Sequence, residues 1–283
     1  MRSLALAAAA LLASCAAAAA ADLPRPPPIA VAPAPYMGWS GFYVGVNVGG
    51  GMGNGRHDFG IAAAPGFASV NNLIQGAIGG GQVGFNWQTG IAVVGVEADF
   101  QGTGIKGSLT APCLPALCGL PLSATYSQKL PWFGTVRGRL GFLATPSLLI
   151  YGTGGLAYGR TEASGTVTLT APAGPVGDFI VAGNSTFSCQ TNTQKVCYTG
   201  AGTQTSLGWA AGGGFEHMIT PNLTAKLEYL HVELAGQTVT LISPPPSVNA
   251  FVNYRFGRES VDLVRVGVNY KFGWTTGLPG PGR

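Results

Sequence analysis

One stretch near the C-terminus, Val264-Arg265-Val266-Gly267-Val268-Asn269-Tyr270-Lys271-Phe272, constrains the fold more than any other part of the chain. Val264, Val266, Val268, Tyr270 and Phe272 fall on one side of it, and Arg265, Gly267, Asn269 and Lys271 on the other. Successive side chains of a strand point to opposite faces, so as a strand the segment has one wholly apolar face and one polar, charged face. A strand of a soluble sandwich alternates too, which leaves two homes for the apolar face, a protein core or lipid.

Repetition favours lipid, because most of the chain shows the same alternation with an aromatic residue near one end. In the first strand Trp39, Phe42, Val44, Val46 and Val48 are mostly on one face, and Tyr43, Gly45, Asn47 and Gly49 on the other. The second, over about 73–87, turns Val83, Phe85 and Trp87 outward and Gln82 and Asn86 inward; the third, about 91–103, turns Val94, Val96 and Phe100 outward and Glu97 and Asp99 inward. The fourth, about 125–142, is read with Leu130, Trp132, Val136, Leu140 and Phe142 on lipid and Arg137 and Arg139 inside. The fifth, about 148–160, is glycine-rich and its facing is ambiguous. The sixth, about 205–219, sets Leu207, Trp209 and Phe215 against Gly208, Gly212, Gly214 and Glu216, and the seventh, about 223–234, sets Leu227 and Tyr229 against Lys226 and Glu228.

The connections alternate as regularly as the residues. Gln88-Thr89-Gly90, Ala144-Thr145-Pro146-Ser147 and Thr220-Pro221-Asn222 are short turns, whereas 54–72, 104–124, 162–204 and 236–260 read as long loops. Short periplasmic turns and long extracellular loops belong to transmembrane barrels, and a lipocalin-like soluble barrel has no reason to keep every second loop long. The expected fold is therefore all-β, an eight-stranded antiparallel transmembrane β-barrel with both ends periplasmic. Composition agrees: only 9% of residues are charged and 45 of 283 are glycine, yet no mature stretch is an apolar run long enough for a membrane helix. In a barrel half of each strand meets lipid, and glycine relieves crowding in a narrow lumen.

The N-terminus supplies the export route. Arg2, the apolar run 4–12 and Ala19-Ala20-Ala21 before Asp22 read as a signal peptide over 1–21. Leu12-Ala13-Ser14-Cys15 resembles a lipobox, so lipidation at Cys15 is the alternative to cleavage after Ala21. Residues 22–38 form a proline-rich periplasmic leader, 39–273 the barrel, and 274–283 a Pro/Gly tail. Loss of Arg2 takes the formal charge from +4 to about +3, too little to imply a nucleic-acid partner. Lipid and the outer-membrane assembly machinery are the partners expected.

Four mature cysteines form two local pairs in the expected loops, Cys113 with Cys118 and Cys189 with Cys197. An exported protein meets an oxidising compartment, so two local disulfides are expected, with crossed pairing possible where the loop tips meet. Zinc is the rival; the spacings are wider than a knuckle and no histidine lies near, so no metal is assigned. Inward charges are the candidate site: Glu97, Asp99, Arg137, Arg139, Glu216, Lys226, Glu228, Arg265 and Lys271. Neighbouring strands would pair them into a nearly neutral network that packs the lumen or, alternatively, lines an ion path. His57, His217 and His231 form no constellation with serine and aspartate, and Gly49-Gly50-Gly51 and Gly79-Gly80-Gly81 sit in strand patterns with no following helix, so neither catalysis nor a cofactor is expected.

Several of these segments carry a resemblance. Trp39-Ser40-Gly41-Phe42-Tyr43-Val44-Gly45-Val46-Asn47-Val48-Gly49-Gly50 resembles the first strand of the small outer-membrane proteins of alphaproteobacteria, the porin-family or opacity-type surface barrels. Tyr151-Gly152-Thr153-Gly154-Gly155-Leu156-Ala157-Tyr158-Gly159 resembles their fifth strand, Glu228-Tyr229-Leu230 and the C-terminal stretch their last two, and Ala21-Asp22-Leu23-Pro24 their mature start. The resemblance implies an integral outer-membrane protein with a structural, surface-exposed role, or a small diffusion porin. Some members bind hemin, which would make His57 in the first outer loop a ligand. The chain departs from the family in carrying Gly273-Trp274 and a tail after Phe272, where the assembly signal is typically a terminal aromatic residue.

Overall fold

Lipid offers backbone groups no hydrogen-bond partner, so a sheet that crosses it must have no free edge. The chain meets that demand by closing a ring. In this computed structural model, residues 38–59, 69–113, 122–169, 179–181, 185–187, 196–242 and 251–272 are described. They form β1 (Gly41–Phe59), β2 (Ser69–Thr89), β3 (Ala92–Cys113), β4 (Leu122–Thr145), β5 (Leu148–Leu169), β6 (Phe179–Val181), β7 (Ser185–Phe187), β8 (Val196–Thr220), β9 (Leu223–Leu234), β10 (Gln237–Ile242) and β11 (Phe251–Lys271). Signal segment, most of the leader, tail, Cys15, Cys118 and Cys189 lie outside the described residues.

Antiparallel neighbours run β1-β2-β3-β4-β5-β8, then β9 and β11, and β1 pairs with β11 to close the circle. β10 is not a ninth wall. Glu259 pairs with Leu234 and Phe256 with Gln237, which keeps β9 and β10 in one register along β11 across Ala235-Gly236. Ala235 N still donates to Leu207 O at 3.0 Å. The two pieces are thus one strand, and the ring has eight. β6 and β7 form a separate two-stranded sheet within the β5–β8 connection.

The outward face is the apolar one. Val46, Val48, Val83, Phe85, Trp87, Val94, Val96, Val136, Leu140, Leu207, Leu227, Val264 and Val266 are all exposed on it. Aromatic residues edge this band at both ends: Phe42, Tyr270 and Phe272 together near the turns, and Phe100, Trp132 and Tyr158 at the other rim. β5, ambiguous in sequence, turns Tyr151, Thr153 and Ala157 inward and Leu156 outward.

Three expectations are corrected. First, the outer loops are shorter than read, because the strands continue beyond the lipid. β3 and β4 stay paired to Cys113↔Leu122, and β5 and β8 stay paired to Thr168↔Val196. There the pattern inverts: Lys106, Ser108, Thr110, Thr125 and Lys129 face out, while Ala124, Tyr126, Ala163, Val167 and Leu169 are buried inside. Outside lipid the surroundings are water, so the apolar face turns inward as in a soluble barrel, and a strand without an outward apolar stripe has the sequence pattern of a loop. Second, Leu130 is buried in the lumen, not on lipid. The register shifts between Gly102 and Ile105 on one side of β4 and between Lys129 and Trp132 on the other. Pro131 lies at that shift and has no N–H for the ladder, the condition under which a strand bulges and reverses its facing. Thr103 locks the bulge, its Oγ1 donating to Leu130 O and accepting from Ile105 N at 3.0 Å. Third, Trp39 is buried at the turn end, where its Nε1 donates to Pro146 O at 3.2 Å.

Candidate functional site: a layered lumen and an outer rim

The barrel interior is filled in layers along its axis. At the turn end Trp39, Val93, Leu149, Tyr151 and Met218 form an apolar cluster. Above it lies the charged layer. Arg137 is its hub: Nη2 donates to Glu97 at 2.6 Å and Asp99 at 2.8 Å, Nη1 to Glu228 at 3.0 Å, and Nε to Thr135 at 2.8 Å. Arg265 reaches Glu228 at 2.6 Å and Asp99 at 2.9 Å. Lys226 sits 3.0 Å from Glu97 across the lumen. Tyr43 donates to Glu97 at 2.8 Å, and Gly84 leaves room for its ring, since a Cβ there would lie 2.3 Å from it.

Arg137 with Glu97 and Asp99, and Arg265 with Glu228, pair between neighbouring strands as expected, whereas Arg139 and Lys271 do not. Arg139 bonds to Glu216 on β8, one strand beyond its neighbour β5, not to Glu97 or Asp99, and its guanidinium lies 3.7 Å over the Tyr151 ring. Lys271 stays apart from the network and donates to Gly38 O. Within the network four cations, Arg137, Arg139, Lys226 and Arg265, face four anions, Glu97, Asp99, Glu216 and Glu228. All eight are at most 4% exposed. Equal charge and multiple bonds per group are what make so dry an ionic cluster tolerable.

Above the charges a second apolar layer closes the bore. Ile74, Ile78, Ile105, Leu130, Phe133, Ala157, Ala210, Leu230, Val232, Leu234, Val261 and Leu263 form one buried cluster drawn from seven strands of the ring. The remaining strand, β1, contributes Gly51, where a Cβ would lie 2.5 Å from Leu263 Cδ2 and 3.0 Å from Ile105 Cδ1. Glycine there lets those side chains meet. This layer was not anticipated, because the lumen was read as polar throughout; the bulge at Pro131, legible in sequence, is the signal that brings Leu130 into it.

Still further out, buried polar side chains return, with Asn72, Gln128, Gln237 and Glu259 among them. On β11 the outward residues turn from Val264 to the half-exposed Asp262, so Glu259 lies beyond the lipid-crossing part of its strand. Burial pushes its carboxyl up to about 7, against the pull of Gln128.

The other candidate residues are scattered. His57 is on β1, backbone-paired with Val70, and its side chain lies outside the described residues. His217 is exposed near a turn. His231 Nδ1 bonds to Asp262 at 2.8 Å and its ring lies 5.2 Å from that of Trp209. Cys113 ends β3 and Cys197 is the second residue of β8, so both are on strands rather than in loops; Cys197 is buried and disulfide-bonded. Among the described residues no group of three His, Cys, Asp or Glu side chains could hold a metal ion.

A closed antiparallel ring with an apolar, aromatic-edged outer wall and an ionic interior defines an integral transmembrane β-barrel of the bacterial outer membrane. The comparisons place it further. The chain belongs to the outer membrane protein beta-barrel domain family, whose profile matches residues 6–272. It is 34% identical over 245 residues to the 31 kDa outer-membrane immunogenic protein of Brucella melitensis, covering 85% of this chain and 86% of that one. It is 30% identical over 215 residues to a 22 kDa outer membrane protein of Rhizobium leguminosarum bv. viciae, covering 74% and 71%. Among solved structures it is similar to OprG of Pseudomonas aeruginosa, with a TM-score of 0.46 and 11% identity over 83% of this chain and 99% of that one. It is also similar to the outer membrane protease OmpT of Escherichia coli, with a TM-score of 0.43 and 11% identity over 82% and 97%.

Proposed function

We propose that this protein is a closed, non-catalytic barrel with a structural and surface-exposed role in the outer membrane, and that it passes no solute. The observation that carries this reading is the twelve-residue apolar layer across the bore, every member at most 5% exposed, stacked on the ionic layer. An ion path needs continuous water or polar groups, and an eight-stranded barrel is just wide enough for its side chains to fill. The strands that continue past the lipid on such a stoppered interior then act as a rigid pedestal for the external connections. Reconstitution in a planar bilayer tests it. Baseline current is expected from the wild type and from Arg137→Ala; steady conductance steps that Arg137→Ala alters would establish a diffusion porin instead.

A further inference from the structure

Among the described residues, cations are in excess on one side of the outer rim, that of β3–β5. On the β9–β11 side each acid has a partner within the wall: Asp262 accepts from Tyr229 at 2.6 Å and bonds to His231, and Glu233 pairs with Arg258 at 3.0 Å. On the β3–β5 side the cations are in excess. Lys106 and Lys129 are directly opposite each other across the β3–β4 ladder, both exposed on the outward face, and neither has an ion-pair partner among the described residues. Like charges placed so destabilise a sheet unless something neutralises them, and Glu162, opposite Lys129 on the β4–β5 ladder, is the one carboxylate at hand among the described residues. Arg160, two positions from Glu162 on β5, engages that carboxylate through Nε at 3.4 Å, and among the described residues no ion pair involves its terminal nitrogens. Three cations thus surround one carboxylate.

Their height on the wall is specific. Arg160 is the ladder partner of Trp132, whose ring stacks on Phe100 at 5.4 Å and meets Tyr158 edge-on at 6.2 Å. Aromatic rings of this kind lie at the level of the headgroups, so the cations stand where headgroup phosphates lie. Below the rings the wall is hollowed by a groove of about 940 Å3, in which Gly79, Gly81 and Gly102 present no side chain to the lipid. Charge above, rings between and an apolar trough beneath match the three parts of one molecule.

We propose that the β3–β5 side of the rim is a docking site for an outer-leaflet glycolipid with a phosphorylated headgroup, of the lipid A class. Its phosphate bridges Lys106 and Lys129, with Arg160 as a third donor able to grip phosphate by two nitrogens. One of its acyl chains lies in the glycine-lined groove. The bridging anion also removes the cost of placing the two lysines opposite each other.

Native mass spectrometry of the detergent-solubilised protein, titrated with bisphosphorylated lipid A and separately with its dephosphorylated form, tests this independently of whether the lumen conducts. The wild type is expected to retain the bisphosphorylated form preferentially, and less so as salt is raised. Lys106→Gln/Lys129→Gln is expected to weaken that retention about 30-fold, the factor two basic side chains supply near an anionic surface. Unchanged heat-modifiable migration of the variant on a gel shows that the barrel has still formed. Gly81→Leu, which fills the trough and keeps every charge, is expected to weaken lipid A binding without altering its salt dependence. Equal retention of the phosphorylated and dephosphorylated lipids, or retention untouched by the double substitution, overturns the proposal. So does a lysine-dependent capture of inorganic phosphate or of a sulfated polysaccharide by a protein that leaves lipid A unbound.

Discussion

Replacing Arg137 by methionine keeps the unbranched stem of the side chain and removes the guanidinium on which the lumen network turns. Its guanidinium makes contacts of 2.6, 2.8 and 3.0 Å to Glu97, Asp99 and Glu228, all from a fully buried position. Without it the four carboxylates share three cations, Arg139, Lys226 and Arg265, in a space sealed by apolar layers on both sides. Removing one partner of a buried pair costs about 3–5 kcal/mol, because the other charge stays desolvated. That is a fall of roughly two to nearly four powers of ten in the folding equilibrium. Adding Glu228→Gln to Arg137→Met restores equal charge, three against three, and should recover part of the loss. A coupling of about 1.5 kcal/mol or more between the two substitutions is expected. The assay is urea unfolding of protein inserted in thin phospholipid vesicles, followed by tryptophan emission. A single-variant cost below about 1 kcal/mol, or a double variant equal to the sum of the singles, would refute charge balance as what holds the layer together.

Other consequences are as direct. Glu259 has a carboxyl raised to about 7 in the fold, so its contribution to stability is full below the ordinary value of about 4.5 and is lost as pH rises through 7, by up to about 3 kcal/mol at pH 8; Glu259→Gln should flatten that part of a stability–pH profile, and parallel profiles would count against its burial. Thr103→Val removes the hydroxyl that bridges Leu130 O and Ile105 N and should cost about 1–3 kcal/mol in the same urea titration, whereas no change would mean the bulge holds without it. Gly84→Ala forces the Tyr43 ring off its seat and away from Glu97, and a loss of about 1–3 kcal/mol is expected; wild-type stability would show that the seat is slack. Peptide mapping without reduction should place Cys197 in a local disulfide with Cys189, and Cys113 with Cys118; a Cys113–Cys197 peptide would establish crossed pairing between β3 and β8 instead.

The membrane-crossing half of the fold was legible residue by residue, and the outer half was not. Where lipid surrounds the wall, alternation such as Val264-Arg265-Val266 has one meaning, and Glu97, Asp99, Arg137, Glu216, Lys226 and Glu228 were assigned inward on that basis; all are buried there. Past the rim the same alternation reverses its meaning, since water replaces lipid outside, and Lys106-Gly107-Ser108-Leu109-Thr110 read as loop although it is ladder. A strict two-residue alternation through Pro131 puts Leu130 on lipid, but Pro131 has no N–H to give the ladder and the facing reverses there.

Sequence alone therefore determined that this chain closes into a lipid-facing barrel and which side chains turn into it, because facing is a local property with a period of two residues. Tertiary structure alone decided which charges meet and that the bore is shut. Arg139 finds Glu216 rather than Asp99, and Lys226 finds Glu97, because partners across a lumen are chosen by height and reach once the ring has closed at its register. The layer of Ile74, Ile105, Leu130 and Leu263 exists only where seven strands bring one to three residues each to one level, a coincidence that no one strand contains.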